Sequence, residues 1–274
     1  MKKYFLNTWL KLTGIVAVTG VGYENDKLIL ATESQNVLYE YFIKNDSITN
    51  YVLNDSISDD LKSSQNYNLQ TLFKVDNSYY LFGSGKDSLS SNAIIMNAFS
   101  KYTSSINITE LYSEMKSFSE INDQNFNINA TVTYNNDWLF LNKANINGNE
   151  NYIFVVQGKN FIDEYNIFYF EFDLPKINNL QTGFTDATVI NNTLFFVACA
   201  NNENIGTYFG AIDLKKMKLL YTEKISETEN YTGITAIEQT KKNVAFALTS
   251  YNKKENKNYT NIHKLNVLLK NKIK

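Results

Sequence analysis

Gly183-Phe-Thr-Asp-Ala-Thr-Val-Ile-Asn-Asn-Thr-Leu-Phe-Phe-Val-Ala-Cys199 reads as a strand of small residues, a tight Asn-Asn turn and an apolar strand. Ile128-Asn-Ala-Thr-Val-Thr-Tyr-Asn-Asn-Asp-Trp-Leu-Phe-Leu141 repeats it almost residue for residue. Leu69 to Phe82 is a third copy, Thr13 to Leu30 a fourth and Thr232 to Leu248 a fifth. Aligned on the residue before the first strand, the copies place Thr13, Gln70, Asn129, Asp186 and Thr232 in register, roughly 46–59 positions apart. That period belongs to propeller blades rather than helical solenoids. Each period then holds one four-stranded sheet, and a closed ring of sheets leaves only short, protected edges.

The expected fold is therefore all-β, a five-bladed β-propeller occupying residues 1–274 as one domain. Residues Lys3–Leu10 alternate weakly and lack a partner in the first repeat, while the last repeat, ending at Asn261–Leu268, is one strand short. Pairing these two segments closes the ring; a frayed N-terminal arm is the alternative. A six-bladed ring would need extra strands hidden around Tyr112–Phe126 and Lys159–Tyr165. Glu110–Phe118 instead reads as a short helix with Leu111, Met115 and Phe118 on one face.

Composition narrows the chemistry. Hydrophobic residues make up 43% and aromatic residues 14% of the 274-residue chain, enough for a substantial core and biased toward strands. A net charge of -2 without a basic stripe argues against nucleic acid or an anionic membrane as partner. Every one of the 26 basic residues is Lys, so the bidentate guanidinium fork is unavailable to any site. One Cys rules out an intramolecular disulfide, and no stretch has signal-peptide or membrane-spanning character, so a cytoplasmic monomer is expected.

Gly183-Phe-Thr-Asp-Ala-Thr-Val189 with Gly206-Thr-Tyr-Phe-Gly-Ala-Ile-Asp-Leu214, Asn125-Phe-Asn-Ile128 followed by Trp138-Leu-Phe-Leu-Asn-Lys143, and Tyr80-Leu-Phe-Gly-Ser-Gly85 resemble an uncharacterised group of bacterial β-propeller proteins. That group looks distantly similar to the esterase-like domain associated with phytases. The resemblance implies a propeller and brings no established activity. Relatives tend to carry Glu before the inner strands, where this chain has Gln70, Asn129 and Thr232; a residue that is usually Arg is Lys143. An acidic central site in the relatives would be largely neutralised here, Asp186 excepted.

In a propeller, the loops entering the inner strands and those joining second to third strands open on one face. The aligned residues Thr13, Gln70, Asn129, Asp186 and Thr232 are thus expected to ring one channel mouth, with Lys143 and Glu33 on adjacent loops. The second-to-third loops are long and polar, whereas the first-to-second turns are tight, the distribution expected when one face recognises something. Asp186 is the candidate functional acid; its competing role is to bond neighbouring backbone amides. Glycoside hydrolysis needs a second carboxylate, for which Glu33 is available without any spacing that demands it. Gly83-Ser-Gly-Lys86 lacks the frame of a phosphate loop. Cys199 ends an apolar strand, and His263, the single His, lies in another blade, so Cys–His or Ser–His catalysis is not expected.

The expected function is binding of a small polar ligand or a protein partner on the loop-rich face. Hydrolysis of phosphoester or glycosidic substrates is the alternative. No cofactor is expected; a divalent cation at the channel mouth is the alternative there, although one Asp makes a poor calcium site.

Overall fold

The computed structural model describes residues 4–33, 35–53, 67–143, 150–158, 160–200, 206–250 and 259–268. Five antiparallel four-stranded sheets form a five-bladed β-propeller. Blade one comprises β2 (Val18–Glu24), β3 (Lys27–Thr32), β4 (Val37–Phe42) and β5 (Ser47–Val52); blade two comprises β6 (Phe73–Val75), β7 (Ser78–Phe82), β8 (Asn92–Asn97) and β9 (Thr103–Asn107). Blade three holds β10 (Ile128–Tyr134), β11 (Asp137–Asn142), β12 (Tyr152–Gly158) and β13 (Tyr165–Glu171); blade four holds β14 (Thr182–Ile190), β15 (Thr193–Ala200), β16 (Thr207–Asp213) and β17 (Lys218–Ser226). Blade five is β18 (Tyr231–Gln239), β19 (Asn243–Ser250) and β20 (Tyr259–Leu268), completed from the other end of the chain by β1 (Tyr4–Thr13).

Closure by the N-terminal strand thus holds, with Tyr4 opposite Val267 and Thr13 opposite Tyr259. The pairing runs three residues further than the sequence pattern suggests, to Thr13. Two side-chain hydrogen bonds reinforce it: Tyr4 donates to the carbonyl of Lys224 in blade four at 2.8 Å, and Thr260 donates to that of Ile15 at 2.8 Å. Of the segments that left room for a sixth blade, Thr109–Ser119 is the helix α1 and residues 160–164 form bends. The buried face of α1 carries Leu111, Tyr112 and Met115, while Phe118, expected on it, is 55% exposed. Residue 118 lies far enough round the last turn to meet Tyr169 of β13 at the surface instead.

The tight turns of blades one to four have a stereochemical basis. Asn25, Asp26, Asp76, Asn135, Asn136 and Asn191 adopt positive φ, which two-residue hairpins require and which Asn and Asp tolerate best after Gly.

Each interface between blades has its own core. Ile29, Leu38, Leu69 and Leu81 fill the first, Phe82, Tyr112, Trp138 and Phe154 the second, Leu139, Phe184 and Phe196 the third, Phe195, Phe209 and Phe246 the fourth, and Leu12, Val18, Leu30 and Ile262 the fifth, across the closure. Phe196 is fully buried and lies against Gly210 of the neighbouring strand, where a Cβ would come within 2.2 Å of its ring. The first interface is also charged. Glu40, 3% exposed, accepts from Lys27 at 2.9 Å and from Lys101 of blade two at 2.6 Å, and Glu24 binds Lys74 and the Tyr79 hydroxyl. No helix among the described residues is long and apolar enough to cross a membrane.

Two outcomes are expected. Removing residues 1–11 should bare the edge of β20 and produce aggregation or a marked drop in melting temperature; a deletion variant that melts like the full chain would refute closure by β1. Burial works against the charge of Glu40, yet the Lys101 and Lys27 hydrogen bonds outweigh it and hold its carboxyl below the usual range. A depressed folded value contributes stability above the unfolded value, near 4.5, and that stability is lost as pH falls through the folded value. Urea titrations from pH 7 to 3 should therefore show Glu40→Gln less stable than wild type at pH 7, with a shallower fall into acid.

Candidate functional site

The inner strands β2, β10, β14 and β18 each slip register near their start, leaving Thr19, Asn129, Thr185 and Thr232 without a cross-strand partner; β18 slips again between Ala236 and Glu238. In blade two one extra residue likewise lies between the Leu69–Gly83 and Phe73–Tyr80 pairs, where Gln70 donates its amide N–H to Phe82. A bulge of this kind bends the strand and re-aims a side chain. These five bulges are the true repeat positions, and they lie where the loop-rich face meets the channel.

Three of them bridge blades in one pattern. The Thr hydroxyl donates to the carbonyl just before the bulge of the next blade: Thr19 to Leu69 at 2.7 Å, Thr185 to Tyr231 at 2.8 Å and Thr232 to Val18 at 2.6 Å. Gln70 and Asn129 instead donate within their own blades, to Asn68 Oδ1 at 2.8 Å and to the Asn127 carbonyl at 3.3 Å. Thr19, Gln70, Asn129 and Thr185 are all at least nine-tenths buried, so the ring constricts this end of the channel.

Of the residues singled out in the sequence, Gln70, Asn129 and Thr232 occupy equivalent positions. Thr13 does not: it ends β1 at the periphery, paired with Tyr259, and Thr19 takes its place. Thr13-Gly14-Ile15 and Thr19-Gly20-Val21 both match Thr232-Gly233-Ile234, and the longer β1 selects the second. Asp186 lies one residue past its bulge. Its Oδ2 accepts the Ile234 N–H of blade five at 2.7 Å, and its Oδ1 accepts the Ala187 N–H at 2.8 Å. Burial pushes its carboxyl well above the usual range, while those two amides pull the other way. The corresponding residue in blade one is Gly20, where a Cβ would lie 2.8 Å from the Leu72 amide nitrogen. Asp186 thus fills the gap between blades four and five that close backbone approach fills between one and two.

Glu33 follows β3, its N–H bonded to the Ala17 carbonyl at 3.0 Å, and Lys143 follows β11, its N–H bonded to the Asn127 carbonyl at 2.9 Å. The charge of Lys143 is felt at Cys199. Burial raises that thiol; Lys143, Thr207, Thr185 and the Tyr231 backbone oppose the rise. Most of the long loops expected to carry recognition, residues 144–149, 201–205 and 251–258, lie outside the described residues.

A polar cluster that the sequence reading missed lies beside Asn129 on blade three. Fully buried Asn142 donates to the carbonyls of Asn125 at 3.1 Å and Glu150 at 2.7 Å and accepts from the Asn127 N–H at 2.6 Å. Asn125 donates to Glu150 Oε1 at 2.8 Å. Two oxygens of this cluster, Asn127 Oδ1 and Glu150 Oε2, are buried without a donor among the described residues. The Asn run at 125, 127 and 129 marks one side of it in the sequence; nothing local marks Glu150. Chemically, the end of the channel offers hydroxyls, amides and surplus acceptors, with the Asp186 carboxylate already committed to backbone.

Asp186→Ala should cost about 1–3 kcal/mol by leaving the Ile234 N–H unsatisfied, whereas Asp186→Asn keeps an acceptor and removes a buried charge, and should cost less. Equal losses in both variants on denaturant titration would show that the charge itself is required, and hence that the bridging role is incomplete.

No protein of curated function matches the sequence. Among solved structures, the chain is similar to glutaminyl cyclase from Myxococcus xanthus (7% identity, TM-score 0.57, 97% of each chain covered). It is similar to endo-arabinase from Bacteroides thetaiotaomicron (7% identity, TM-score 0.57, 96% of this chain and 98% of that one) and to a luciferin-regenerating enzyme (10% identity, TM-score 0.50, 96% and 95%). At such identities the likeness concerns the fold alone. A family model matches residues 14–267, and the chain accordingly belongs to a family of unknown function (DUF6929).

Proposed function

We propose that this propeller is a binding protein that takes a small polar ligand at its loop-rich end, through hydrogen-bond donors on the ligand. The observation that supports this reading is the pair of acceptors Asn127 Oδ1 and Glu150 Oε2, buried in one cluster at the rim of the ring without a donor among the described residues. An unsatisfied buried acceptor costs about 1–3 kcal/mol. A ligand ammonium, amide or hydroxyl supplies the missing donor. Acid–base hydrolysis is less well supported, since it needs paired carboxylates with separated proton affinities and both oxygens of Asp186 are taken up by backbone amides. The cytoplasmic location and the monomeric state inferred from charge and composition belong to the same proposal.

Thermal-shift assays with ethanolamine, putrescine, inositol and simple hexoses test it. A ligand at about 100 times its Kd adds about 2.7 kcal/mol, a rise of several degrees. At least one class should give it, and Glu150→Gln should abolish it while Asp186→Asn retains it. No shift with any class, or an unchanged shift in Glu150→Gln, would sink the proposal. Turnover of a phosphoester or glycoside that Glu150→Gln abolishes would replace binding with catalysis.

A further inference from the structure

Below the buried ring the channel widens. A cavity of about 230 Å³ lies between the inner strands, lined by residues of all five: Val21 of β2, Val132 of β10, Ala187 of β14, Ile234 of β18, and Leu72 and Phe73 at β6. Exposure rises along the axis away from the loop-rich face. Four of the five ring residues, Thr19, Gln70, Asn129 and Thr185, are buried, Val21, Leu72, Ala187 and Ile234 remain buried, and Thr133, Thr188 and Thr235 further along are half-buried. The cavity therefore opens toward the face of tight Asn and Asp turns, opposite the loops.

We infer that this turn-face cavity is a second binding site, for a small uncharged molecule with an apolar body and one or two hydroxyl groups. Its inner part is aliphatic. Its outer part carries three threonines from three blades, Thr133, Thr188 and Thr235, whose hydroxyls form no hydrogen bond with described residues. The inner strands are terminal strands of their sheets, so their axial edges add unpaired backbone donors and acceptors. Lys74 is the one charged side chain on the lining, and Glu24 neutralises it; Tyr23 also lines the cavity, its hydroxyl donating to Asp26. A charged ligand would lose its hydration with no counter-charge to replace it, which is costly; a neutral one exchanges water for apolar contact. The size is suitable: an apolar cavity of roughly 150 Å³ accommodates benzene, so this one takes a benzene ring with a short substituent.

This inference is independent of the loop-face reading, and the experiment separates the two. Saturation-transfer NMR on the full chain with benzyl alcohol, benzoate and benzylammonium compares one shape in three charge states. Benzyl alcohol should receive saturation and the two ions should not. The signal should be lost in Thr188→Phe, which fills the cavity from β14, and in Thr133→Phe, which fills it from β10, while Glu150→Gln leaves it intact. Two filling variants guard against one failing to fold. Absence of transfer to benzyl alcohol, equal transfer to benzoate, or a signal that survives in a folded filling variant would each overturn the assignment.

Discussion

Pairing between the two ends of the chain is the constraint on which the rest of this structure depends. Without β1 laid along β20, blade five would have three strands and an open edge. The buried cluster of Leu12, Val18, Leu30 and Ile262 spans that join, so closure adds apolar burial as well as backbone hydrogen bonds. The entropic penalty of joining distant ends grows only logarithmically with loop length. A ring this long is thus thermodynamically accessible, but its final contacts are among the most non-local in the chain, and such contacts slow folding.

Closure fixes the spacing of the inner strands, and the bulges then settle how they touch. Where blades approach with a Thr at the bulge, its hydroxyl reaches the next carbonyl and joins neighbouring blades around the axis. In blades two and three the longer Gln70 and Asn129 satisfy their amides locally, so those bulges contribute none of the hydroxyl bridges. The interface between these blades is held differently. Tyr80, Phe82, Trp138 and Phe161 interlock edge to face, and Tyr112 and Phe126 extend the packing under α1. With the blades joined by ring packing, the polar side chains Gln70 and Asn129 at the upper rim of the interface bond within their own blades. The surplus acceptors at Asn127 and Glu150 occur at that rim.

Most of the strands were legible in the sequence because period-two alternation and Asn-rich turns are local signals. The Asn content itself, easily dismissed as compositional drift, is partly structural, since Asn25, Asn135, Asn136 and Asn191 hold positive φ at turns. What was not legible is the bulge. Inserting one residue breaks the alternation without changing composition, so the reading slipped by one at Thr185–Asp186 and by six at Thr13–Thr19, where two Thr-Gly-aliphatic triplets compete. The site inherited both slips. Phe118 shows the same limit on a helix: an apolar residue at plausible spacing faces solvent while Tyr112 turns inward to bond the Gly83 carbonyl. The blade-three cluster was invisible for another reason, because Asn142 and Glu150 meet only through the pairing of β11 with β12.

The two ends of the channel are solvated in opposite ways, and that separates fold from function here. At the loop-rich end, the polar groups on the axis are spent on the ring: Thr hydroxyls on carbonyls, Asp186 on two amides. Change at those positions acts first on the contact between blades, which is why a neutral residue can replace an acid there only if the neighbouring backbone finds another acceptor. On the proposed binding reading, polar recognition at this end sits off the axis, on groups such as Glu150 that carry no blade-to-blade bond among the described residues. At the turn-face end the axis is lined by side chains of which, among the described residues, only Lys74 bonds to another blade, through Glu24, so substitutions at the other lining positions alter the cavity with little effect on closure. The shared fold of the glutaminyl cyclase and endo-arabinase neighbours then says nothing about which end is used, because the bulges constrain one end and leave the other free.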